Sequence, residues 1–115
     1  MEQIKINIYN AIGSSFAMEA SDGQLIYDKI TKLFDEQKSI MLDFQNIEMI
    51  TSAFLNTAIG QLYGKYDAVF IKRNLSVENM LPEDMVLLKR VVDTAKLFYS
   101  DPERLQNSID EILGE

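Results

Sequence analysis

The stretch from Ser39 to Tyr63 constrains the fold of this chain more than any other part of the sequence. It begins with an apolar run at residues 39–44 that is too short for a typical helix, which favours a central buried strand. A short loop follows, and Thr51 and Ser52 then open an amphipathic helix predicted to extend to about residue 66. Buried strands that alternate with amphipathic helices are typical of α/β folds.

Two alternating patterns near the N-terminus predict further strands. Isoleucines occupy positions 4, 6 and 8 with polar residues between them, as expected of a strand with one buried face. Phe16 and Met18 repeat the alternation and predict a strand over residues 15–19. A turn containing Gly13 separates the two patterns, so we expect the two strands to pair as a hairpin.

The remaining elements are predicted from helix signals and one more alternating pattern. Ser21 and Gln24 fit a capping box, which predicts a helix over residues 22–37. Residues 75–78 alternate as a short strand, and Pro82 and Pro102 each suit the first turn of a helix. The element order predicts one α/β domain over residues 1–115, with a small mixed β-sheet of about four strands covered by helices and with additional C-terminal helices.

The composition limits the chemistry available to the chain. Its 115 residues are 47% hydrophobic, enough to bury a core without a metal or a disulfide. Cysteine and histidine are both absent, which removes the commonest general base, the commonest metal ligand and the thiolate nucleophile. We therefore expect a protein that is not an enzyme and that uses no metal or other cofactor.

Charge and hydropathy narrow the expected partners and location. Eleven basic and 18 acidic residues give a formal charge of -7, which disfavours binding to nucleic acid or to an anionic membrane. The N-terminus lacks the basic and apolar regions of a signal peptide, and no apolar segment approaches the roughly 20 residues that span a bilayer. These features predict a cytoplasmic protein.

The stretch from Asp43 to Leu55 resembles the STAS domains of bacterial anti-sigma factor antagonists, and more closely a STAS-like branch of them. In those domains a strand ends in Asp, a loop follows, and an Asp-Ser-Ser/Thr-Gly-Leu type motif opens a helix. Here Asp43 ends the strand, and the helix is opened by Thr51, Ser52, Ala53, Phe54 and Leu55. The resemblance spans roughly residues 13–80 and implies a STAS-like fold.

The resemblance also implies a function. In the family, a partner Ser/Thr kinase related to histidine-kinase-type ATPases phosphorylates a hydroxyl at the start of this helix, and phosphorylation breaks the complex with that partner. The usual acceptor position falls on Ala53, which leaves Ser52 and Thr51 as candidate phosphoacceptors. The implied role is a non-enzymatic regulatory module that switches between partners, such as a kinase-like ATPase or an anti-sigma factor. The candidate partner-binding residues are Asp43, Asn46, Glu48, Ser52, Ala53, Phe54 and Asn56.

Other interpretations of the same residues remain open. Thr51 or Ser52 can simply cap the helix, and Asp43 can accept hydrogen bonds that hold the following loop. Phe54 begins the apolar stripe of its helix, as a core residue would. An alternative function is a small-ligand sensor for a nucleotide or phosphorylated metabolite at the helix start. A third is a small hydrolase that uses Asp43 and Glu48 as a carboxylate pair.

Overall fold

The computed structural model describes residues 2–100 of the chain. The elements follow one another in the order β1 (Gln3–Asn7), α1 (Ile8–Ile12), β2 (Phe16–Ala17), α2 (Ala20–Asp35), β3 (Ser39–Asp43), β4 (Met49–Ile50), α3 (Ser52–Ala58), a 3-10 helix (Gly60–Gly64), α4 (Ala68–Asn74), β5 (Leu75–Glu78) and α5 (Pro82–Ser100). The predicted α/β class is confirmed. The predicted helix that begins at Pro102 lies outside the described residues, and the single-domain assignment of residues 1–115 stays a prediction.

The strands form two parallel groups. β1, β3 and β5 make a three-stranded sheet in that order, with Ile4 opposite Ile40 and Leu42 opposite Val77. β2 and β4 pair separately, also in parallel. The described strands are therefore parallel throughout, whereas the sequence predicted a mixed sheet.

The predicted hairpin between the first two strands is wrong, because a helix lies between them. Asn7 ends β1 and caps α1 by accepting a hydrogen bond at Oδ1 from the backbone N–H of Asn10, over 2.8 Å. Gly13 ends α1 in the left-handed region at φ 71°, a conformation that glycine adopts without strain. Ile8 belongs to α1 rather than to the strand, and it is fully buried.

Helix α2 packs closely on α3 and also contacts β3, the central strand of the three-stranded sheet. Ile26, Ile30 and Phe34 form its buried stripe, as the sequence pattern indicated. The predicted capping box is wrong, because α2 begins at Ala20 and Ser21 therefore lies inside the helix, where its hydroxyl approaches Glu19 at 3.3 Å.

The long helix predicted to run from Ser52 to about residue 66 is broken. α3 ends at Ala58, and the 3-10 helix Gly60–Gly64 follows it. Glycine has low helix propensity, and the two glycines lie at the two ends of the 3-10 segment. Helix α4, which the sequence did not predict, then packs Phe70 against the ring of Tyr66 at a centroid distance of 5.4 Å.

Helix α5 begins at Pro82 as predicted, with Glu83 and Asp84 in its first turn. Val91 and Ala95 are its buried residues. It packs against α3 and the 3-10 helix, so the domain is closed on that side. Among residues 2–100 no helix is long and apolar enough to span a membrane.

Candidate functional site

The two hydroxyls at the start of α3 have different surroundings. Thr51 is the N-cap: its Oγ1 accepts a hydrogen bond from the backbone N–H of Phe54 over 3.2 Å and donates one to the carbonyl of Met18. The capping interpretation is therefore confirmed for Thr51, whose side chain is only half-exposed. Ser52 is the first residue of the helix and is exposed. Of the two candidate phosphoacceptors, Ser52 is the one that a partner can reach without breaking the cap.

Asp43 is a structural residue at the end of β3. Its carboxylate is 4% exposed and accepts hydrogen bonds from the side-chain amides of Asn79 (2.8 Å) and Asn7 (3.3 Å) and from the backbone N–H of Gln45 (3.0 Å). The bond from Asn79 is the main reason that the pKa of Asp43 lies below its ordinary value, and the other bonds and the charge of Lys5 act in the same direction.

Two of the predicted partner-binding residues, Asp43 and Phe54, are buried rather than exposed. Asp43 is buried and holds the following loop, which was the other interpretation of that residue. Phe54 is 0% exposed, as expected of the first residue of the apolar stripe of its helix. Neither side chain is available to a partner in this conformation. The engagement of Asp43 by three donors also leaves the hydrolase hypothesis without a free carboxylate at that position.

The other predicted partner-binding residues lie on the surface. Asn46, Glu48, Ala53 and Asn56 are exposed, and Glu48 accepts a hydrogen bond from the hydroxyl of Ser15 over 3.0 Å. That bond joins the loop before β4 to the chain before β2. Within the described residues there is no cluster of three or more carboxylates that would suit a metal ion. The small-ligand alternative stays a prediction.

An apolar surface beside the start of α3 was not predicted from the sequence. Phe16 and Met49 are direct partners in the pairing of β2 with β4, and their side chains are 49% and 48% exposed. Met18 is 39% exposed, whereas Ala17 and Ile50 form the buried face of the same pair. The sequence predicted a strand over residues 15–19 from the alternation of Phe16 and Met18. The observed strand covers Phe16–Ala17, with Ala17 buried and both Phe16 and Met18 exposed.

Hydrogen bonds join this apolar surface to helix α3. The backbone N–H of Thr51 donates to the carbonyl of Ala17 over 3.1 Å, and the hydroxyl of Thr51 donates to the carbonyl of Met18. The outer face of β2 and β4 therefore adjoins the first turn of α3. We call these exposed residues together the α3-start surface: Phe16, Met18, Met49, Ser52, Ala53 and Asn56.

A comparison with sequence models of protein families shows which family the domain belongs to. A sequence model of the family described as "STAS-like domain of unknown function (DUF4325)" matches residues 22–85, more than half of the chain. The chain belongs to this STAS-like family. The match confirms the resemblance predicted from the sequence and includes β3 and α3, whereas β2 precedes it. No curated protein and no solved structure matches this STAS-like domain at a significant level.

Proposed function

We propose that this STAS-like domain is a non-enzymatic regulatory module that binds a partner protein through its α3-start surface. The observation that carries the proposal is the outward-facing pair of Phe16 and Met49. Large apolar side chains that adjoin one another on a surface favour association, because covering them removes apolar area from water at roughly 25 cal/mol per Å². Met18 extends the same outer face.

The proposed partner is a kinase-like ATPase or an anti-sigma factor, and Ser52 is the proposed phosphoacceptor. Ser52 is exposed next to the apolar residues, whereas the hydroxyl of Thr51 is used by the cap. A phosphate on Ser52 adds a charge of about −1.5 to −2 to a surface whose apolar neighbours must be dehydrated on binding. A coupling free energy on the order of 1 to 3 kcal/mol would lower the affinity by roughly 5- to 150-fold.

Affinity capture with matched variants tests the binding surface. The tagged 115-residue chain is incubated with lysate of the source organism, and the recovered proteins are identified by mass spectrometry. We expect the wild type to recover an ATPase or an anti-sigma factor, and the double variant Phe16→Ser/Met49→Ser to lose it. Val69→Ser is the control, because Val69 is 57% exposed and lies on α4. Equal recovery by all three baits would contradict the α3-start surface as the interface.

A second measurement tests the phosphorylation switch separately from the surface. The affinity of the purified partner is compared for wild type, Ser52→Asp and Ser76→Asp, the last being an exposed serine on β5. We expect only Ser52→Asp to weaken the complex, and we expect phosphate on Ser52 in the mass spectrum of the bait. An unchanged affinity of Ser52→Asp would reject the switch and leave the binding surface in place.

A further inference from the structure

Within residues 2–100, one edge of strand β1 is free of any other strand. In the order β1-β3-β5, the one described strand that pairs with β1 is β3. The carbonyl of Glu2 accepts a hydrogen bond from the backbone N–H of Ser39 over 2.9 Å. Ile4 and Ile6 follow Glu2 at intervals of two residues, so their backbone N–H and C=O groups also point toward β3. The backbone N–H and C=O groups of Gln3 and Lys5 consequently point away from β3, toward the free edge. Such a row of backbone donors and acceptors is a template for another strand.

A groove lies alongside this edge. It has a volume of about 560 Å³ and is bounded by β1, by α1 and by the outer face of α2. Ile6, Ala11 and Leu33 contribute apolar area to it, and Asn10 contributes an amide. An added strand places alternate side chains on opposite faces, so it can direct one set of side chains toward α2.

The groove is the site of a local positive charge on an acidic protein. The chain carries a formal charge of -7, yet Lys5, Lys29 and Lys32 all line this groove. Glu36 is the one carboxylate among residues 2–100 that lines it. Lys5 forms an ion pair with Glu78 at 2.7 Å. Lys29 and Lys32 have no carboxylate partner within 4.0 Å among residues 2–100, so their ammonium groups are available to a ligand.

We propose that this groove binds an extended acidic segment of a partner protein, which adds to the free edge of β1 as a strand with its carboxylates toward Lys29 and Lys32. The lysine at the centre of β1 disfavours a second copy of the same strand, because like charges would approach each other across the pair. An acidic strand would instead place opposite charges across the pair, which is favourable. This site is separate from the α3-start surface and does not depend on the proposed function.

Calorimetry at low salt, with synthetic peptides and the 115-residue chain, tests the proposal. The probe is a short capped peptide in which Glu alternates with Val or Thr. One control peptide replaces every Glu by Lys, and another keeps Glu but is N-methylated at alternate residues. We expect binding of the acidic peptide only. We also expect slower hydrogen exchange at the amide of Lys5, because that amide would then donate to the added strand.

Charge-reversal variants locate the site. Lys29→Glu/Lys32→Glu should weaken binding of the acidic peptide by about tenfold or more, from the loss and reversal of two ion pairs. Lys72→Glu/Arg90→Glu reverses two exposed charges on α4 and α5 and should leave the affinity unchanged. Three results would overturn the proposal: equal affinity for the basic peptide, unchanged affinity in the Lys29/Lys32 variant, or full affinity of the N-methylated peptide.

Discussion

Asn79 donates a hydrogen bond from its side-chain amide to Oδ1 of Asp43 over 2.8 Å, which ties the residue after β5 to the end of β3. Asn79 adopts φ 60°, a left-handed conformation that asparagine tolerates better than most residues. Asn7, at the end of β1, reaches the other oxygen of the same carboxylate. One buried carboxylate therefore joins the carboxyl ends of all three strands of the sheet.

Replacing Asp43 by Ala should destabilise the protein by about 2 to 4 kcal/mol, because two side-chain amides and one N–H lose their charged acceptor. Urea unfolding measures the change. Asp93→Ala is the matched control, since Asp93 forms an exposed ion pair with Lys89 and should change stability by less than about 1 kcal/mol. Equal effects of the two substitutions would contradict the joining role of Asp43.

The same carboxylate predicts how stability depends on pH in the acid range. In the folded protein the pKa of Asp43 lies below its ordinary value of 3.8, mainly because Asn79 donates a hydrogen bond to the carboxylate. As the pH falls, the carboxylate of Asp43 is therefore protonated in the unfolded chain before it is protonated in the folded protein. The stability that it contributes is present above about pH 4 and is lost as the pH falls through the folded pKa. Urea midpoints measured over that range should fall less steeply for Asp43→Asn than for wild type. Identical slopes would contradict the assignment.

Thr51→Val should destabilise the protein by about 1 kcal/mol, because the first turn of α3 loses its N-cap acceptor and Met18 loses its hydroxyl partner. Thr51→Ser keeps the hydroxyl and should stay close to wild type. Thermal unfolding of the three proteins measures the difference. If the valine and serine variants were equally stable, the hydroxyl of Thr51 would not be the cap.

Gly23→Ala should destabilise the protein by about 1 to 3 kcal/mol through overpacking, although alanine has the higher helix propensity. A Cβ at Gly23 would lie 2.6 Å from the carbonyl oxygen of Phe54 and 2.9 Å from Cβ of Thr57, so α2 and α3 would have to move apart. Gly60→Ala is the control, because its nearest contact would be 3.6 Å. Chemical denaturation of both variants distinguishes close packing from propensity, which alone would make Gly23→Ala stabilising.

The sequence by itself determined the features that depend on neighbouring residues. The apolar run at residues 39–44 predicted β3, the apolar spacing from Ile26 to Phe34 predicted the buried face of α2, and Pro82 marked the start of α5. The hydroxyls at 51 and 52 located the start of α3. Periodicity and end signals of this kind are local, and a single sequence contains them.

Tertiary structure decided the features that depend on distant residues. β1 pairs with β3 rather than with β2, and that pairing joins segments more than thirty residues apart. The alternation of Phe16 and Met18 predicted the strand, but contact with β4 and α3 put Ala17 inside and Phe16 outside. Two of the three donors to Asp43, Asn7 and Asn79, reach it only because the strands bring these residues to one end of the sheet. The exposed surface and the buried carboxylate were therefore set by pairing between distant strands, which local periodicity does not encode.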